Sequence, residues 1–304
     1  MTGATGFVGG HLLEACAGRC HVRALARRPQ PERDGVEWIP GSLEQPESLH
    51  RLVEGADTVI HAGALIKARS RAEFHAANAA GTASLAEAVA RAAQESARLV
   101  YISSLAARQP HLSTYGATKL AGEAAIERSL PPERRIIVRA PAVYGPGDSE
   151  ILKLLTSARR GLLPAPGSVL NRVSMMYGPD LAALLAGLAL EQGVPTGVTF
   201  EPDDGMPEGY DYRALAAHLA AVLGRPVRPL AIPAPLFLGV AWASELRSRL
   251  TGRATILTRE KAREVMHPDW VSRPEARPPL PKTPTDLATG LAETVAWARR
   301  AGLL

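Results

Sequence analysis

Tyr115 and Lys119 stand four residues apart in the run Tyr115-Gly116-Ala117-Thr118-Lys119. That spacing puts both side chains on one face of a helix. A phenol with a pKa of about 10 is a poor acid or base at neutral pH. A neighbouring ammonium favours the phenolate and lowers that value, which makes the pair a candidate for proton transfer. Only five of the 35 basic residues are Lys, so a Lys at this position is informative. The plain alternative is a surface Tyr and Lys on an amphipathic helix. Eleven residues before Tyr115, the stretch Val100-Tyr101-Ile102-Ser103-Ser104 reads as a strand ending in hydroxyls. Ligands of open parallel sheets sit beyond the carboxyl ends of strands. A hydroxyl there can hold a carbonyl by a hydrogen bond. Ser104 is the candidate and Ser103 its neighbour; capping of the strand end is the alternative.

A second group of residues suits phosphate. Thr2-Gly3-Ala4-Thr5-Gly6-Phe7-Val8-Gly9 opens a helical pattern. Glycines at 3, 6 and 9 allow a tight turn, close approach of backbone to a pyrophosphate, and close packing of helix on sheet. The helix N-terminus then offers free N–H groups to the anion. A purely structural turn would use the same glycines. After the strand ending at Leu25 come Ala26, Arg27 and Arg28, with no acid to bind ribose hydroxyls. A guanidinium pair matches a 2′-phosphate, so NADP(H) is expected over NAD(H), with a solvated basic loop as the alternative.

These residues need elements to position them. Cys20–Leu25, Val36–Ile39, Thr58–His61, Leu99–Ser103 and Ile136–Ala140 read as short apolar strands. Val8–Ala17, Pro46–Val53, Ala72–Gln94 and Tyr115–Leu130 read as the helices between them. Such alternation predicts an α/β fold with a doubly wound parallel sheet covered on both faces. After Ala140 the texture changes at Pro141, Gly145, Pro146 and Gly147. Helices are expected over Glu150–Arg160, Leu181–Leu190, Tyr212–Leu223 and Leu287–Arg300, with strands at Val173–Tyr177 and Val198–Glu201. Leu230–Ala243 is apolar but spans only roughly 14 residues, against roughly 20 needed to cross a bilayer. It reads as a core or lid helix, or else as an apolar wall for a hydrophobic substrate or a membrane-surface contact. His267–Pro284 holds six prolines and reads as an extended surface connector.

The 304 residues are 46% hydrophobic, 21% charged and 5% aromatic, which suits a folded chain with a sizeable core. A net charge of +5 is weak over this length, and no long basic run points to nucleic acid. Cys16 and Cys20 are the only cysteines, which excludes a disulfide scaffold. They have no partners at zinc-like spacing and read as inert thiols; no metal is expected.

Together these residues resemble the extended short-chain dehydrogenases/reductases, in the NAD-dependent epimerase/dehydratase group. The matches are the Thr2–Gly9 loop, His61-Ala62-Gly63-Ala64, Asn78-Ala79-Ala80-Gly81-Thr82, Ser103-Ser104, Tyr115…Lys119 and Arg139–Asp148. Val173-Ser174-Met175-Met176-Tyr177…Asp180-Leu181-Ala182 and Gly290-Leu291…Trp297 continue them. The resemblance implies a Rossmann-type sheet with a smaller C-terminal α/β part that binds substrate. It places the dinucleotide domain in residues 1–150, with 173–200 returning to it, and the substrate part in 151–172 and 201–304. Tyr115 would give or take the proton, Lys119 would hold the nicotinamide ribose, and Ser104 would orient the carbonyl. Asn78 would hold the helix and relay protons through water, or simply pack it. Gly3, Thr5, Gly6, Phe7, Val8, Arg27, Arg28, Ser42, Leu43, His61, Ala62, Gly63, Ala64, Ser103, Pro141, Ala142 and Val143 would contact the cofactor, and Arg172 the substrate.

Two departures matter. Gly41-Ser42-Leu43 stands where relatives carry Gly-Asp-Leu, and Gly178-Pro179 interrupts a segment where relatives carry a β-branched residue and an acid. The short Ser104–Tyr115 spacing, the arginine pair and the apolar Leu230–Ala243 resemble the dihydroflavonol-reductase and 3β-hydroxysteroid-dehydrogenase type more than sugar epimerases. The expected activity is NADP(H)-dependent hydride transfer between nicotinamide and a small-molecule carbonyl or secondary alcohol. The alternatives are a nucleotide-sugar epimerase or dehydratase with tightly held NAD(P), and a non-catalytic dinucleotide-binding protein. A cytoplasmic homodimer without a membrane span is expected. The glycine loop also calls for a preceding strand, for which Met1 and Thr2 alone remain. Residues upstream of Met1 are therefore expected, the alternative being a sheet that lacks its central strand, and an extended form should be more soluble and more active.

Overall fold

The computed structural model describes residues 1–252, 254–279 and 283–304. The chain forms two compact units, Met1–Arg139 with Leu181–Phe200, and Ala140–Asp180 with Glu201–Leu304.

The first unit runs α1 (Phe7–Cys16), β1 (Val22–Ala26), β2 (Val36–Pro40), α2 (Pro46–Val53), β3 (Thr58–His61), α3 (Arg71–Phe74), α4 (Gly81–Ala92), β4 (Arg98–Ser104), α5 (Thr114–Ser129) and β5 (Arg135–Ala140). Four parallel strands stand in the order β3-β4-β5-β10, where β10 is Thr199–Phe200. β1 and β2 pair in parallel, Val22 opposite Val36. Met1 and Thr2 lie between β1 and β3. The Leu25 N–H donates to Met1 O at 3.0 Å, the Thr2 N–H to Ile60 O at 3.0 Å, and the Ala62 N–H to Thr2 O at 3.2 Å. Two residues thus hold the central position of the sheet. Leu99, Val100 and Tyr101 of β4 and Ile136 and Val138 of β5 are fully buried, as strands covered on both faces require. Leu49, Leu52, Leu85, Val89, Ile126 and Ile137 complete this core.

The second unit runs β6 (Ala142–Tyr144), α6 (Ser149–Arg159), β7 (Leu162–Pro166), β8 (Arg172–Val173) and β9 (Met175–Tyr177). The start of α7 (Gly178–Leu190) follows, and that helix continues into the first unit. After Phe200 come β11 (Tyr210–Asp211), α8 (Tyr212–Leu223), β12 (Arg228–Ile232), α9 (Ala234–Thr251), α10 (Arg259–Val265), β13 (Asp269–Trp270) and α11 (Leu287–Arg300). Aspartates start three of these helices. Asp148, Asp211 and Asp286 accept first-turn N–H groups of α6, α8 and α11, which satisfies donors that a helix start leaves unpaired. Tyr144, Leu155, Leu163, Leu219 and Leu291 pack into its core.

Four expectations change. The helix read over Ala72–Gln94 is interrupted by a π-helical turn at His75–Ala80. The strand read over Val173–Tyr177 splits at Ser174, whose N–H donates to Trp270 O at 3.1 Å while its carbonyl accepts the Ala142 N–H at 3.2 Å, so β8 and β9 join different sheets. Leu230–Ala243 is not a core helix: Pro233 divides it into β12 and α9, and most large side chains of α9 are exposed. The proline-rich connector is partly folded, since Asp269–Trp270 pairs with β8 and Ser272 is buried. Pro281 and Lys282 lie outside the described residues. No described helix is long and apolar enough to cross a membrane.

Candidate active site

β4 and α5 carry the proton-transfer candidates. β4 ends at Ser104, whose Oγ accepts the Ala106 N–H at 3.2 Å and so starts a 3₁₀ turn over Leu105–Arg108. α5 starts from Ser113, whose Oγ accepts the Gly116 N–H at 3.0 Å. Tyr115 lies half-buried in that first turn, its ring edge-on to Phe74 with centroids 6.4 Å apart. Lys119 is buried one turn later. Its Nζ donates to Ile102 O at 2.6 Å and lies 4.2 Å above the centre of the Tyr101 ring. A Cβ at Gly116 would stand 2.6 Å from Ala106 O, so only glycine lets α5 press this closely on the turn that Ser104 begins. The structure thereby brings Ser104, Tyr115 and Lys119 to the carboxyl end of β4.

Burial lowers Lys119 to about 7, against an opposing pull from Glu123 one turn further along α5. Glu123 is itself buried and accepts from Ser103 Oγ at 2.5 Å and from Arg139 Nε and Nη2 at 3.0 and 2.6 Å. The Ser103 hydroxyl is therefore engaged inside the fold, while Ser104 caps its turn.

His61 is held neutral. Burial first and Lys119 second depress its pKa to about 3. The Thr82 hydroxyl donates to Asn78 O at 2.8 Å, so it accepts from His61 Nε2–H at 2.9 Å. Nδ1 then accepts from Thr2 Oγ1 at 2.6 Å, and Thr2 Oγ1 accepts the Gly63 N–H at 3.2 Å. This chain fixes the tautomer and ties the glycine loop to α4. Asn78, in the π turn, clamps the loop after β3. Its Oδ1 accepts the Leu65 N–H at 2.7 Å, and its Nδ2 donates to Leu65 O at 2.9 Å and to Thr118 Oγ1 at 3.4 Å.

The carboxyl ends of β1, β2 and β3 carry Arg27–Arg28, Ser42–Leu43 and Ala62–Ala64. The Gly41 N–H donates to Ala26 O at 3.1 Å and joins the first two ends. Gly3 has φ +76°, and a Cβ there would stand 2.6 Å from Gly63 N; one at Gly9 would stand 2.0 Å from Gly3 O. The N-cap of α1 is Gly6, with no capping side chain and no acid in the first turn. Thr5, Gly6, Phe7 and Val8 thus present a helix start suited to an anion. These features fit a dinucleotide pyrophosphate. Arg27 and Arg28 are exposed and, among the described residues, have no ion-pair partner. Pro141, Ala142 and Val143 belong to the second unit, at β6. Arg172, there too, pairs with Glu208 at 2.6 Å and Asp269 at 3.2 Å.

Gly116, Thr118 and Glu123 were not legible as site residues. Glu123 lies four positions beyond Lys119, the same helical spacing as Tyr115 to Lys119, and that was the available signal.

The model of the NAD dependent epimerase/dehydratase family matches residues 1–195. A ceramide reductase of Caulobacter vibrioides is 39% identical over all of this chain and 95% of its own length. A 2-alkyl-3-oxoalkanoate reductase of Stenotrophomonas maltophilia is 32% identical, covering 91% of this chain and 92% of that protein. Among solved structures, the Bordetella bronchiseptica enzyme WbmG in complex with NAD and UDP matches with a TM-score of 0.72 at 21% identity. That match covers 99% of this chain and 94% of WbmG, and it supports the fold.

Proposed function

The chain belongs to the NAD-dependent epimerase/dehydratase family of enzymes, and within it we propose an NADP(H)-dependent reductase of a ketone that carries a long alkyl chain. One observation carries the chemistry: Lys119 is buried beside Tyr101 and tied by its Nζ to Ile102 O, two residues before Ser104. That bond locks the Tyr115 helix to the strand that ends in the Ser104 hydroxyl. The substrate class rests on the two reductase relatives, whose names specify a ceramide and an alkyl-substituted oxoalkanoate.

The bound dinucleotide supplies the hydride. Ser104 holds the substrate oxygen and Tyr115 gives it a proton. Lys119 lies one helical turn from Tyr115 and, when protonated, favours its phenolate. The helix start at Gly6–Val8 receives the pyrophosphate, and Arg27 and Arg28 receive a 2′-phosphate. Asn78 and His61 hold the loops that border this site. The first unit then serves the cofactor and holds the reacting oxygen, and a homodimer belongs to the same reading.

The test follows NADPH consumption with ketones of increasing alkyl length, with UDP-sugars as controls. The kcat/KM should rise with chain length, since each buried methylene contributes about 0.8 kcal/mol. A co-purifying cofactor with sugar conversion and no net NADPH consumption would establish the epimerase reading instead.

A further inference from the structure

The outer face of α9 carries an apolar stripe. Leu236, Val240, Trp242, Leu246 and Leu250 are 61%, 50%, 54%, 42% and 80% exposed. Their spacing keeps them along one side of the helix. Ala241, on the other side, is buried. Glu245 is the helix's one acid, and its carboxylate accepts the Arg259 backbone N–H at 2.7 Å and Arg259 Nε at 2.9 Å. Arg247 and Arg249 are exposed beside the stripe, and among the described residues neither has a carboxylate partner. The face therefore combines aliphatic side chains, one tryptophan and two uncompensated positive charges.

We propose that α9 docks the enzyme on an anionic lipid surface. A helix of 18 residues is about 27 Å long and lies flat in the interface. Leu236, Val240, Leu246 and Leu250 enter the acyl boundary, Trp242 sits at headgroup level, and Arg247 and Arg249 meet lipid phosphates. No described helix suits a crossing, so the contact is peripheral. The charges also argue against a second copy of the chain as the occupant. A two-fold contact would set the same pair of arginines against the same acid-free patch. This surface does not depend on the reductase reading, because it rests on exposure and charge alone.

The test is flotation of the full-length protein with vesicles of phosphatidylcholine alone or mixed with phosphatidylglycerol. The protein should float with the mixed vesicles, less so as salt rises, and its Trp242 emission should shift to the blue, a shift absent in Trp242→Phe. Arg247→Gln with Arg249→Gln should weaken binding about 25-fold, at roughly fivefold per charge. Val240→Ser with Leu246→Ser should abolish it, while leaving the melting temperature and dinucleotide affinity unchanged. Absence of flotation with the mixed vesicles overturns the proposal, as does flotation that neither double variant reduces. A change of molecular mass in solution on Val240→Ser with Leu246→Ser also overturns it, by assigning the stripe to a second copy. Failure of NADPH turnover would leave flotation intact and count only against the reductase reading.

Discussion

Lys119 is an amine that the fold keeps from water, and that burial has a measurable sign. Its pKa falls from 10.5 to about 7, burial being the first cause and Glu123 opposing it. Between those values the unfolded chain keeps a proton that the folded chain has released. The contribution of Lys119 to stability therefore rises with pH across that window and is least favourable below it. Lys119→Met lacks this increment. The melting temperature of the variant relative to the parent should be highest at pH 7 and fall steadily toward pH 10; a constant difference would contradict the burial argument. Tyr115 tests the chemistry separately. It is half-buried, and removal of its hydroxyl leaves the ring against Phe74. Tyr115→Phe should lower kcat by about 10²- to 10⁴-fold, the range of general acid catalysis, with NADPH affinity unchanged in a binding titration.

At the scale of elements, the site depends on how closely α5 approaches the turn after β4. Gly116→Ala would place a Cβ 2.6 Å from the backbone oxygen of Ala106, which cannot step aside as a side chain could. The expected cost is about 1–3 kcal/mol in urea unfolding, with a fall in kcat as Tyr115 shifts. Gly10 is the control, because its added Cβ meets nothing within 4 Å and lies inside α1. Gly10→Ala should stabilise by about 0.5–1 kcal/mol. The same contrast explains what could be read in advance. Pro46–Val53, Thr58–His61, Tyr212–Leu223 and Leu287–Arg300 were legible to the residue, because prolines, caps and apolar spacing mark their ends locally. The π turn was not, since Ala76, Ala77, Ala79 and Ala80 suit either kind of helix. Nor was the break at Ser174, whose backbone bonds lead to Trp270 on one side and to Ala142 on the other. That Tyr115, Lys119 and Ser104 gather at the end of β4 was legible from spacing. Glu123 was not, because a helical acid reads as solvated until Ser103 and Arg139 are seen to enclose it. The neutral state of His61 depends on Thr2 and Thr82, distant in sequence and joined only by the sheet.

At the scale of the whole chain, the first unit is discontinuous: residues after Arg139 leave it, and Leu181–Phe200 return to supply most of α7 and the edge strand β10. The return is bonded in place, with Thr58 Oγ1 donating to Ala189 O at 2.9 Å and Arg98 Nη2 to Glu191 O at 2.9 Å. In the proposed reading, every group that recognises the dinucleotide's adenine end belongs to this unit, and Arg27 and Arg28 alone distinguish a 2′-phosphate from a hydroxyl. Both are exposed and, among the described residues, without ion-pair partners, so replacing them costs the fold little. A charged hydrogen bond contributes about 1.5–3 kcal/mol, so Arg27→Ala with Arg28→Ala should raise the KM for NADPH about 10- to 100-fold. The KM for NADH should stay within about twofold, because that cofactor offers no 2′-phosphate to lose. The KM for the ketone should also hold, since neither arginine is assigned a contact with it. Steady-state kinetics with both cofactors and one ketone separates these outcomes. Equal losses with NADH and NADPH would remove the phosphate assignment, and a rise in ketone KM would show that the arginines serve the substrate instead.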